Sequence, residues 1–444
     1  MNLLDQAFQK AVEVLRMNVT ERGFSACSPR YDEDPESNYR SVWARDSATT
    51  LMWSLPLGDT ELTECGRRSL ETILGAQSRD GHLPNYVDIA TGEPQFGGIG
   101  NIAGIDSALW VVIAAWNYVN VTGDTEFART HFDTIHRSMK WLRAHDSNNC
   151  GLLEIPEASD WTDLFPRSYN VLYDEVLWYR ATVDFVELRR LNARPVGRYI
   201  NRAARIRKIL NDQFWPTPDT LQQSTESFAR TQFSMGRARY LIAQITPFGF
   251  SWRCDVFANI IASLYGVLSD ERADRVRQFL SQIAIDQPHP VRVLYPVIHP
   301  GEPDWRDYFL VNLQNLPYHY HNGGIWPFVG GLWVRFLDRL GQHDHAKDAL
   351  RRLAEVCRAG VEREWEFTEW AHGHTGRPMG KAYQAWSAAS YVAAYLRFQG
   401  DKSIEVAQKR PDELTQRDDS GLAPMVTDDA VNLDSSALNA PDSD

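Results

Sequence analysis

Most of the chain consists of segments in which apolar residues recur every three to four positions, the spacing of an amphipathic helix. A further helix is predicted near 42–53, with Asp46 or Ser47 as its N-terminal cap. The helices at 105–121 and 380–398 are apolar on nearly every side, which predicts that they are buried. The remaining helical segments are 3–18, 60–77, 124–145, 171–192, 195–213, 253–267, 270–284, 328–340 and 344–361.

The order of these helices predicts an all-α fold. Short and long connections alternate between them, and the strand–helix alternation of a parallel sheet is missing. This pattern predicts an (α/α)6 toroid of the six-hairpin type, with apolar helices inside, striped helices outside and long loops forming a pocket. A helical-repeat solenoid is the alternative, but no sequence repeat of fixed period is visible. One such domain is predicted over 1–402, and an acidic, disordered tail over 403–444, where apolar periodicity disappears.

Charge and cysteine content narrow the class of protein further. The formal net charge is −12, and the last 44 residues carry much of it, so the body is only mildly acidic. It has no basic stripe for nucleic acid, and no uninterrupted apolar run is long enough for a membrane span. The N terminus lacks the pattern of a signal peptide. Five scattered cysteines suit free thiols in a reducing compartment, which favours a cytoplasmic protein.

The stretch Glu154-Ile-Pro-Glu-Ala-Ser-Asp-Trp-Thr-Asp163 places four carboxylates within ten residues, beside Trp161. An indole next to a carboxyl group disfavours its charged form and raises its pKa toward the range of a general acid. Helix capping explains the Asp and Ser equally well. A second acid, Glu369, also adjoins a tryptophan on a short loop predicted to precede a helix. Two such acids predict one pocket and glycoside hydrolysis by a carboxyl pair.

Several stretches carry a resemblance to known families. Tyr320-His-Asn-Gly-Gly-Ile-Trp-Pro327 closely resembles a stretch of the cytosolic neutral/alkaline invertases, and Gly380-Lys-Ala-Tyr-Gln-Ala-Trp-Ser387 and Phe367-Thr-Glu369-Trp resemble two more. The N-terminal half is similar to the amylo-α-1,6-glucosidase domain of glycogen-debranching enzymes, through Trp43-Ala-Arg-Asp46 and Trp161-Thr-Asp163. The chain departs from the invertases at Leu164-Phe-Pro-Arg-Ser-Tyr-Asn170, so the leaving group stays open.

The resemblance implies an inverting hydrolase in which Asp163 is the general acid and Glu369, ionised, is the general base. Asp160 is the competing acid because it also adjoins Trp161, and the motif match favours Asp163. The resemblance further implies a set of substrate-binding residues that grip sugar hydroxyls or stack on the sugar ring. An ordinary cap, turn or ion pair is the alternative for each of them. The set comprises Trp43, Arg45, Asp46, Asp106, Asp160, Trp161, His321, Asn322, Trp326 and Trp370.

The sequence therefore predicts inverting, exo-acting hydrolysis of a terminal α-glucosidic bond in a small saccharide. Sucrose, an α-1,6-linked glucose or a glucosylated small polar molecule would each fit, with no metal or cofactor, and both a monomer and a homo-oligomer stay open. A sugar epimerase or isomerase is one alternative, with His319, His321, His372 and His374 as proton shuttles. A non-catalytic carbohydrate-binding protein is the other.

Overall fold

The computed structural model describes residues 2–32, 37–217 and 238–401, so the predicted acidic tail at 403–444 lies outside the described residues. The helices are α1 (Leu3–Met17), α2 (Ala44–Ser54), α3 (Thr60–Gly75), α4 (Asp106–Thr122), α5 (Thr125–Arg143), α6 (Leu172–Leu191), α7 (Gly197–Gln213), α8 (Val256–Leu264), α9 (Asp270–Gln282), α10 (Pro327–Arg339), α11 (His343–Arg358) and α12 (Ala385–Phe398). The short strands are β1 (Ser41–Trp43), β2 (Tyr86–Asp88), β3 (Pro94–Gln95), β4 (Asn170–Val171), β5 (Gln244–Thr246), β6 (Gly249–Ser251), β7 (Cys254–Asp255), β8 (Leu294–Tyr295), β9 (Trp370–Ala371) and β10 (Pro378–Met379).

The even-numbered helices form a closed inner ring. Each packs against the next even-numbered helix along the chain, and α12 packs against α2 to complete the circle. The odd-numbered helices lie outside; α3, α5 and α7, for example, pack against the inner helices that precede them. The predicted (α/α)6 toroid is confirmed.

Burial along the helices follows the predicted pattern. In α4 the buried residues run without a break from Asp106 to Trp116, and in α12 from Ala385 to Ala394. An outer helix such as α5 buries only a stripe, which includes Phe127, Phe132 and Ile135. The inner helices are enclosed on all sides because they contact both ring neighbours and the outer layer, and their burial forms the core.

In the part of the chain that the structure describes, the long connections lie at one end of the ring. Gly123 has a φ of +74° at the end of α4, and Asp124 caps α5 through the Phe127 N–H at 3.0 Å, so two residues suffice to reverse the chain. The short connections follow the inner helices, whereas the long connections precede them. The N-terminal ends of the inner helices therefore share a cluster of long loops, which also holds the short strands.

Three local expectations need correction. The first residue before α2 is Trp43, which makes no side-chain cap, so Asp46 and Ser47 lie within the first turn instead of capping it. Helix α12 begins at Ala385, not at 380, because Trp370–Ala371 and Pro378–Met379 pair as a hairpin ahead of it. Glu369 therefore precedes a strand and not a helix.

Two observations bear on environment. Within the described ranges, no helix has both the length and the apolar character that crossing a bilayer requires. All five cysteines are free thiols, and Cys150 is the only one that is not fully buried.

Candidate active site

A cavity of about 460 Å³ lies among the long loops at the N-terminal ends of the inner helices. This volume is typical of sites for small ligands. Its wall draws on the segments that precede α2, α4, α6, α10 and α12. The lining residues are Ala26, Asn38, Tyr39, Trp43, Arg45, Asp46, Tyr86, Gly97, Gly98, Trp161, Asp163, Asn312, Gln314, Tyr320, Trp326, Glu369 and Trp386.

The structure divides the residues singled out from the sequence into two groups. The first group lines the cavity and comprises Trp43, Arg45, Asp46, Trp161, Asp163, Trp326 and Glu369. The second group lies outside the lining and comprises Asp106, Asp160, His321, Asn322 and Trp370. Both acids proposed from the sequence thus reach the same cavity from loops far apart in the chain.

Asp163 is the partly exposed acid of the cavity. Its side chain is about 30% exposed, and its Oδ2 accepts a hydrogen bond from the Tyr320 hydroxyl at 3.0 Å. The backbone there has a φ of +49°, a left-handed conformation that Asp adopts more readily than most residues. The turn is closed by the Asp163 N–H, which donates to the Asp160 carbonyl. This turn directs Asp163 to the cavity while Asp160 stays in the wall.

Glu369 is the buried acid of the cavity. Its Oε1 accepts a hydrogen bond from the Tyr39 hydroxyl at 2.7 Å, and its Oε2 accepts one from the Lys381 backbone N–H at 3.2 Å. Burial raises the pKa of Glu369 to about 7, against the opposing effect of the Tyr39 hydrogen bond. The sequence predicted an ionised Glu369. The raised pKa makes the ionised form less abundant near neutral pH than it is for an ordinary carboxyl group.

Gly380 allows the close approach that holds Glu369. Its φ is +73°, and a Cβ at this position would lie 2.4 Å from Glu369 Oε2 and 2.8 Å from Glu369 Cβ. The Glu369 N–H donates to the Lys381 carbonyl at 2.8 Å, so the two chain segments bind each other in both directions. A residue without a side chain is therefore needed next to the carboxylate.

A charged group of Arg45, Asp46 and Asp106 lies at the start of α2 and α4. Arg45 Nη1 is 3.2 Å from Asp106 Oδ2, and Arg45 Nε is 3.6 Å from Asp46 Oδ2. Burial raises the pKa of Asp46 to about 6, and Arg45 opposes the effect. Arg45 Nε and Asp46 Oδ2 have no hydrogen-bond partner among the described residues. Both residues line the cavity, with Asp106 behind Arg45, so this charged group forms part of the cavity wall.

Asp160 lies behind the cavity and stabilises the loop that carries Asp163. Its oxygens accept hydrogen bonds from the Thr162 backbone N–H, the Thr162 hydroxyl and Arg167 Nε, the last at 2.8 Å. Burial would raise the pKa of Asp160, but Arg167 outweighs burial and holds it below its usual value. Arg167 also pairs with Asp255, which caps α8. Asp160 thus ties the acid loop to the neighbouring helix.

His321, Asn322 and Trp370 support the lining from behind. The His321 ring stacks on Trp326 at 4.9 Å, and burial lowers the pKa of His321 to about 4, so it is neutral. Asn322 donates to the Ile298 carbonyl and accepts from the Ile298 N–H, which fixes the loop before α10. Trp370 contacts Tyr320 edge-on.

Sequence reasoning missed several lining residues, including Tyr39, Tyr86, Asn312, Gln314 and Trp386. Tyr320 and Trp386 lie inside stretches that carried the family resemblance, so those motifs offered a signal for them. Tyr39 and Gln314 lie in polar loops without periodicity, where no local pattern marks them. In the described part of the chain, no cluster of three or more His, Cys, Asp or Glu side chains is arranged to hold a metal ion.

Solved structures with the same architecture include a GH63 mannosylglycerate hydrolase from Thermus thermophilus in complex with Tris. It aligns with a TM-score of 0.64 at 16% sequence identity, covering 88% of this chain and 99% of that chain. A rhamnosidase from Klebsiella oxytoca with rhamnose bound aligns with a TM-score of 0.59 at 15% identity, covering 90% of this chain and 64% of that one. At these identities the likeness establishes the fold.

Two family models match successive parts of the sequence. One describes the bacterial alpha-L-rhamnosidase six-hairpin glycosidase domain and matches residues 28–237. The other describes alkaline and neutral invertase and matches residues 229–399. Together with the toroid, the cavity and the sequence relatives, these matches identify the chain as a glycoside hydrolase of the six-hairpin class.

Among proteins of this class, the chain is similar in sequence to neutral and alkaline invertases of plants, which confirms that resemblance. A probable alkaline/neutral invertase D of Arabidopsis thaliana is 21% identical over 440 residues, covering 87% of this chain and 80% of that protein. The chloroplastic alkaline/neutral invertase E of the same plant is 23% identical, and the alignment covers 74% of this chain and 57% of the plant protein. Cytosolic invertase 1 of Oryza sativa subsp. japonica is 22% identical, covering 85% of this chain and 74% of the rice protein.

Proposed function

We propose that this glycoside hydrolase is an exo-acting, inverting enzyme that cleaves a terminal α-glucosidic bond in a small saccharide. Asp163 is its general acid and Glu369 its general base. The observation that carries the proposal is that these two carboxylates, from loops about two hundred positions apart, line one cavity of about 460 Å³. Each of them also accepts a hydrogen bond from its own tyrosine hydroxyl.

The reaction is a single displacement. Asp163 gives its proton to the glycosidic oxygen as the bond to the anomeric carbon breaks. Glu369 takes a proton from a water molecule, whose oxygen attacks the anomeric carbon from the opposite face. The products are a sugar of inverted configuration and a leaving group that departs as a neutral alcohol. An inverting pair needs about 6.5–9.5 Å between its carboxyl groups, which leaves room for the water.

The state of Glu369 fits a base that works at neutral pH and above. A base transfers protons best when its pKa is close to the working pH. Burial raises the pKa of Glu369 to about 7, so the ionised, active form increases as the pH rises through neutrality. The partly exposed Asp163 has access to the leaving group at the open side of the cavity.

The charge of the lining supports an uncharged substrate. Asp46, Asp163 and Glu369 contribute three carboxyl groups, whereas Arg45 is the only cation among the described residues of the lining. Arg45 is already paired with Asp106. An anionic leaving group would meet net repulsion there. Sucrose, as the names of the plant relatives suggest, or another neutral α-glucoside therefore fits better than a glycerate conjugate of the kind that the mannosylglycerate hydrolase is named for.

The epimerase alternative draws less support from the structure. It needs histidines at the sugar, but His319, His321, His372 and His374 are all absent from the described lining of the cavity. His319 and His372 contact each other edge-on at 4.7 Å in the neighbouring loops.

A cytoplasmic location is part of the proposal. The five free cysteines suit a reducing compartment, in which disulfides are rare. One of the rice relatives is named as a cytosolic invertase.

The roles of the two acids can be tested with substrates that differ in leaving group. Asp163→Asn and Glu369→Gln are compared with the wild type on sucrose, on other neutral α-glucosides and on α-glucosyl fluoride, because fluoride leaves without help from an acid. Asp163→Asn should lose about a hundredfold or more in kcat on the sugars but keep most activity on the fluoride. Glu369→Gln should lose activity on all substrates. The reverse pattern would exchange the roles, and full activity of both variants would refute the pair.

A further inference from the structure

Tyr39 occupies an unusual place in the site. It lies in a single 3-10 turn, Asn38–Arg40, in which the Ser37 hydroxyl accepts a hydrogen bond from the Tyr39 N–H. The chain then enters β1 and α2, the elements that bring Trp43, Arg45 and Asp46 to the cavity. The Tyr39 side chain lines the same cavity and donates its hydroxyl hydrogen to Glu369 Oε1 at 2.7 Å.

On the basis of the proposed function, we propose that Tyr39 is a positioning residue for the general base. Its hydroxyl holds Oε1 of Glu369 while the Lys381 backbone N–H holds Oε2, so the carboxylate keeps one orientation at the cavity wall. A donor on each oxygen also favours the charged form of the carboxylate, which is the form that takes the proton from water. Tyr39 therefore keeps Glu369 both aligned and usable as a base near neutral pH.

The Tyr39 hydroxyl stays protonated and therefore remains a hydrogen-bond donor. Burial and the nearby Glu369 raise the pKa of Tyr39 well above its ordinary value, so its hydroxyl keeps its proton throughout the working pH range. Lys381 Nζ lies 5.7 Å from the centre of the Tyr39 ring and is itself 2.9 Å from Asp32 Oδ1. Lys381 thus supplies one of the two hydrogen-bond donors to Glu369 through its backbone N–H. Its side chain lies over the ring of Tyr39, which supplies the other donor.

The surroundings of Glu369 determine the sign of the expected effect. The titratable and charged groups that face it are Tyr39, Asp163, Asp46, Tyr320, Cys27 and Lys381. Asp163 and Asp46 raise its pKa, as burial does, whereas the Tyr39 hydrogen bond lowers it. Removing the Tyr39 hydroxyl leaves all the raising influences in place. The pKa of Glu369 then rises further, so the carboxyl group stays protonated, and inactive as a base, up to a higher pH.

The test is the pH profile of kcat/KM for Tyr39→Phe, which keeps the ring and removes the hydroxyl. The low-pH limb should move up by about one pH unit or more relative to the wild type, the effect of one hydrogen bond to a charged group. On the acid side of the wild-type limb the variant should then be about tenfold slower than the wild type, and well above the limb it should be almost equal. KM should change little.

The matched control is Tyr118→Phe. The Tyr118 hydroxyl also donates to a carboxylate, Asp124 Oδ2 at 2.9 Å, but it lies three turns along α4, away from the cavity. This control should leave the pH profile unchanged, and thermal denaturation of both variants verifies their folding.

Other results would argue against the role of Tyr39 or against the role of Glu369. A uniform loss in Tyr39→Phe at every pH, or a rise in KM alone, would make Tyr39 a substrate-binding residue and overturn the proposal. An unshifted limb in Tyr39→Phe together with an inactive Glu369→Gln would remove only the role of the tyrosine. Full activity of Glu369→Gln would remove the base itself, and with it both proposals.

Discussion

Gly380→Ala is a small change next to the proposed base, and its geometry allows the effect to be estimated. The new Cβ would lie 2.4 Å from Glu369 Oε2, 2.8 Å from Glu369 Cβ and 2.7 Å from Trp370 Cδ1. Ordinary contacts begin at 3.4 Å, so the carboxylate must move by about 1 Å, and a misplacement of that size costs about a hundredfold in rate. We expect kcat to fall by about that factor. The left-handed backbone, with a φ of +73°, adds about 1–2 kcal/mol of lost stability.

Gly123→Ala separates the two effects. Gly123 has nearly the same φ, +74°, but nothing lies within 4 Å of a Cβ built there. The assay is steady-state kinetics on the best substrate, combined with urea denaturation of both variants. Both should lose about 1–2 kcal/mol of stability through the backbone, Gly380→Ala should lose about 1–3 kcal/mol more through its close contacts, and only Gly380→Ala should lose kcat. If Gly380→Ala kept kcat within about twofold, or if Gly123→Ala lost as much kcat, the contact with Glu369 would not govern turnover.

Two further predictions concern the competing acid and the leaving group. Asp160→Asn should destabilise the fold by about 1.5–3 kcal/mol, because buried Arg167 keeps Asp255 but loses its charged hydrogen-bond partner Asp160, while the folded variant keeps kcat within a few-fold. Denaturation and kinetics on the same samples check this, and a kcat as low as that of Asp163→Asn with unchanged stability would contradict it. In a matched pair of substrates, α-glucosyl glycerate should have a kcat/KM at least about tenfold below that of α-glucosyl glycerol, and added salt should narrow the gap. A preference for the glycerate would show that the negative lining does not select the substrate.

The helices were predictable because their apolar patterns differ between the two layers. Inner helices are apolar on nearly every side, and outer helices carry one apolar stripe. Residues 124–145 were predicted as an outer helix and form Thr125–Arg143, and 105–121 were predicted as an inner one and form Asp106–Thr122. The start of the last helix was placed five residues too early. Residues 380–384 are rich enough in apolar and small side chains to extend the pattern, but Gly380 lies in a left-handed conformation beside Glu369. A tertiary contact decided that boundary.

Site residues were predictable only where neighbouring residues in the sequence indicate their chemistry. Glu369 adjoins Trp370 and Asp163 lies two residues after Trp161, and the structure places both acids in the cavity. Four carboxylates lie between positions 154 and 163, yet only the last of them lines the cavity, since a left-handed turn at Asp163 separates it from Asp160. No pattern within ten residues encodes which of them faces inward.

The pairing of each acid with its tyrosine lay beyond sequence reasoning for the same physical reason. Tyr39 meets Glu369 across 330 positions of the chain, and Tyr320 meets Asp163 across 157. Such pairs form when the long loops of different hairpins come together at one end of the ring. Asn322 illustrates the converse, because it belongs to the most distinctive stretch of the sequence but is fully buried and holds the loop instead of lining the cavity.

The most direct measurement of the central claim is the configuration of the first-formed sugar. Sucrose and a panel of neutral α-glucosides are hydrolysed by the wild-type protein in an NMR tube, and the anomeric protons are recorded before mutarotation equilibrates them. Two acids that act on one water and one glycosidic oxygen in a single displacement predict β-glucose as the first product. Initial release of α-glucose would contradict that mechanism and would require one of the two carboxylates to act as a nucleophile.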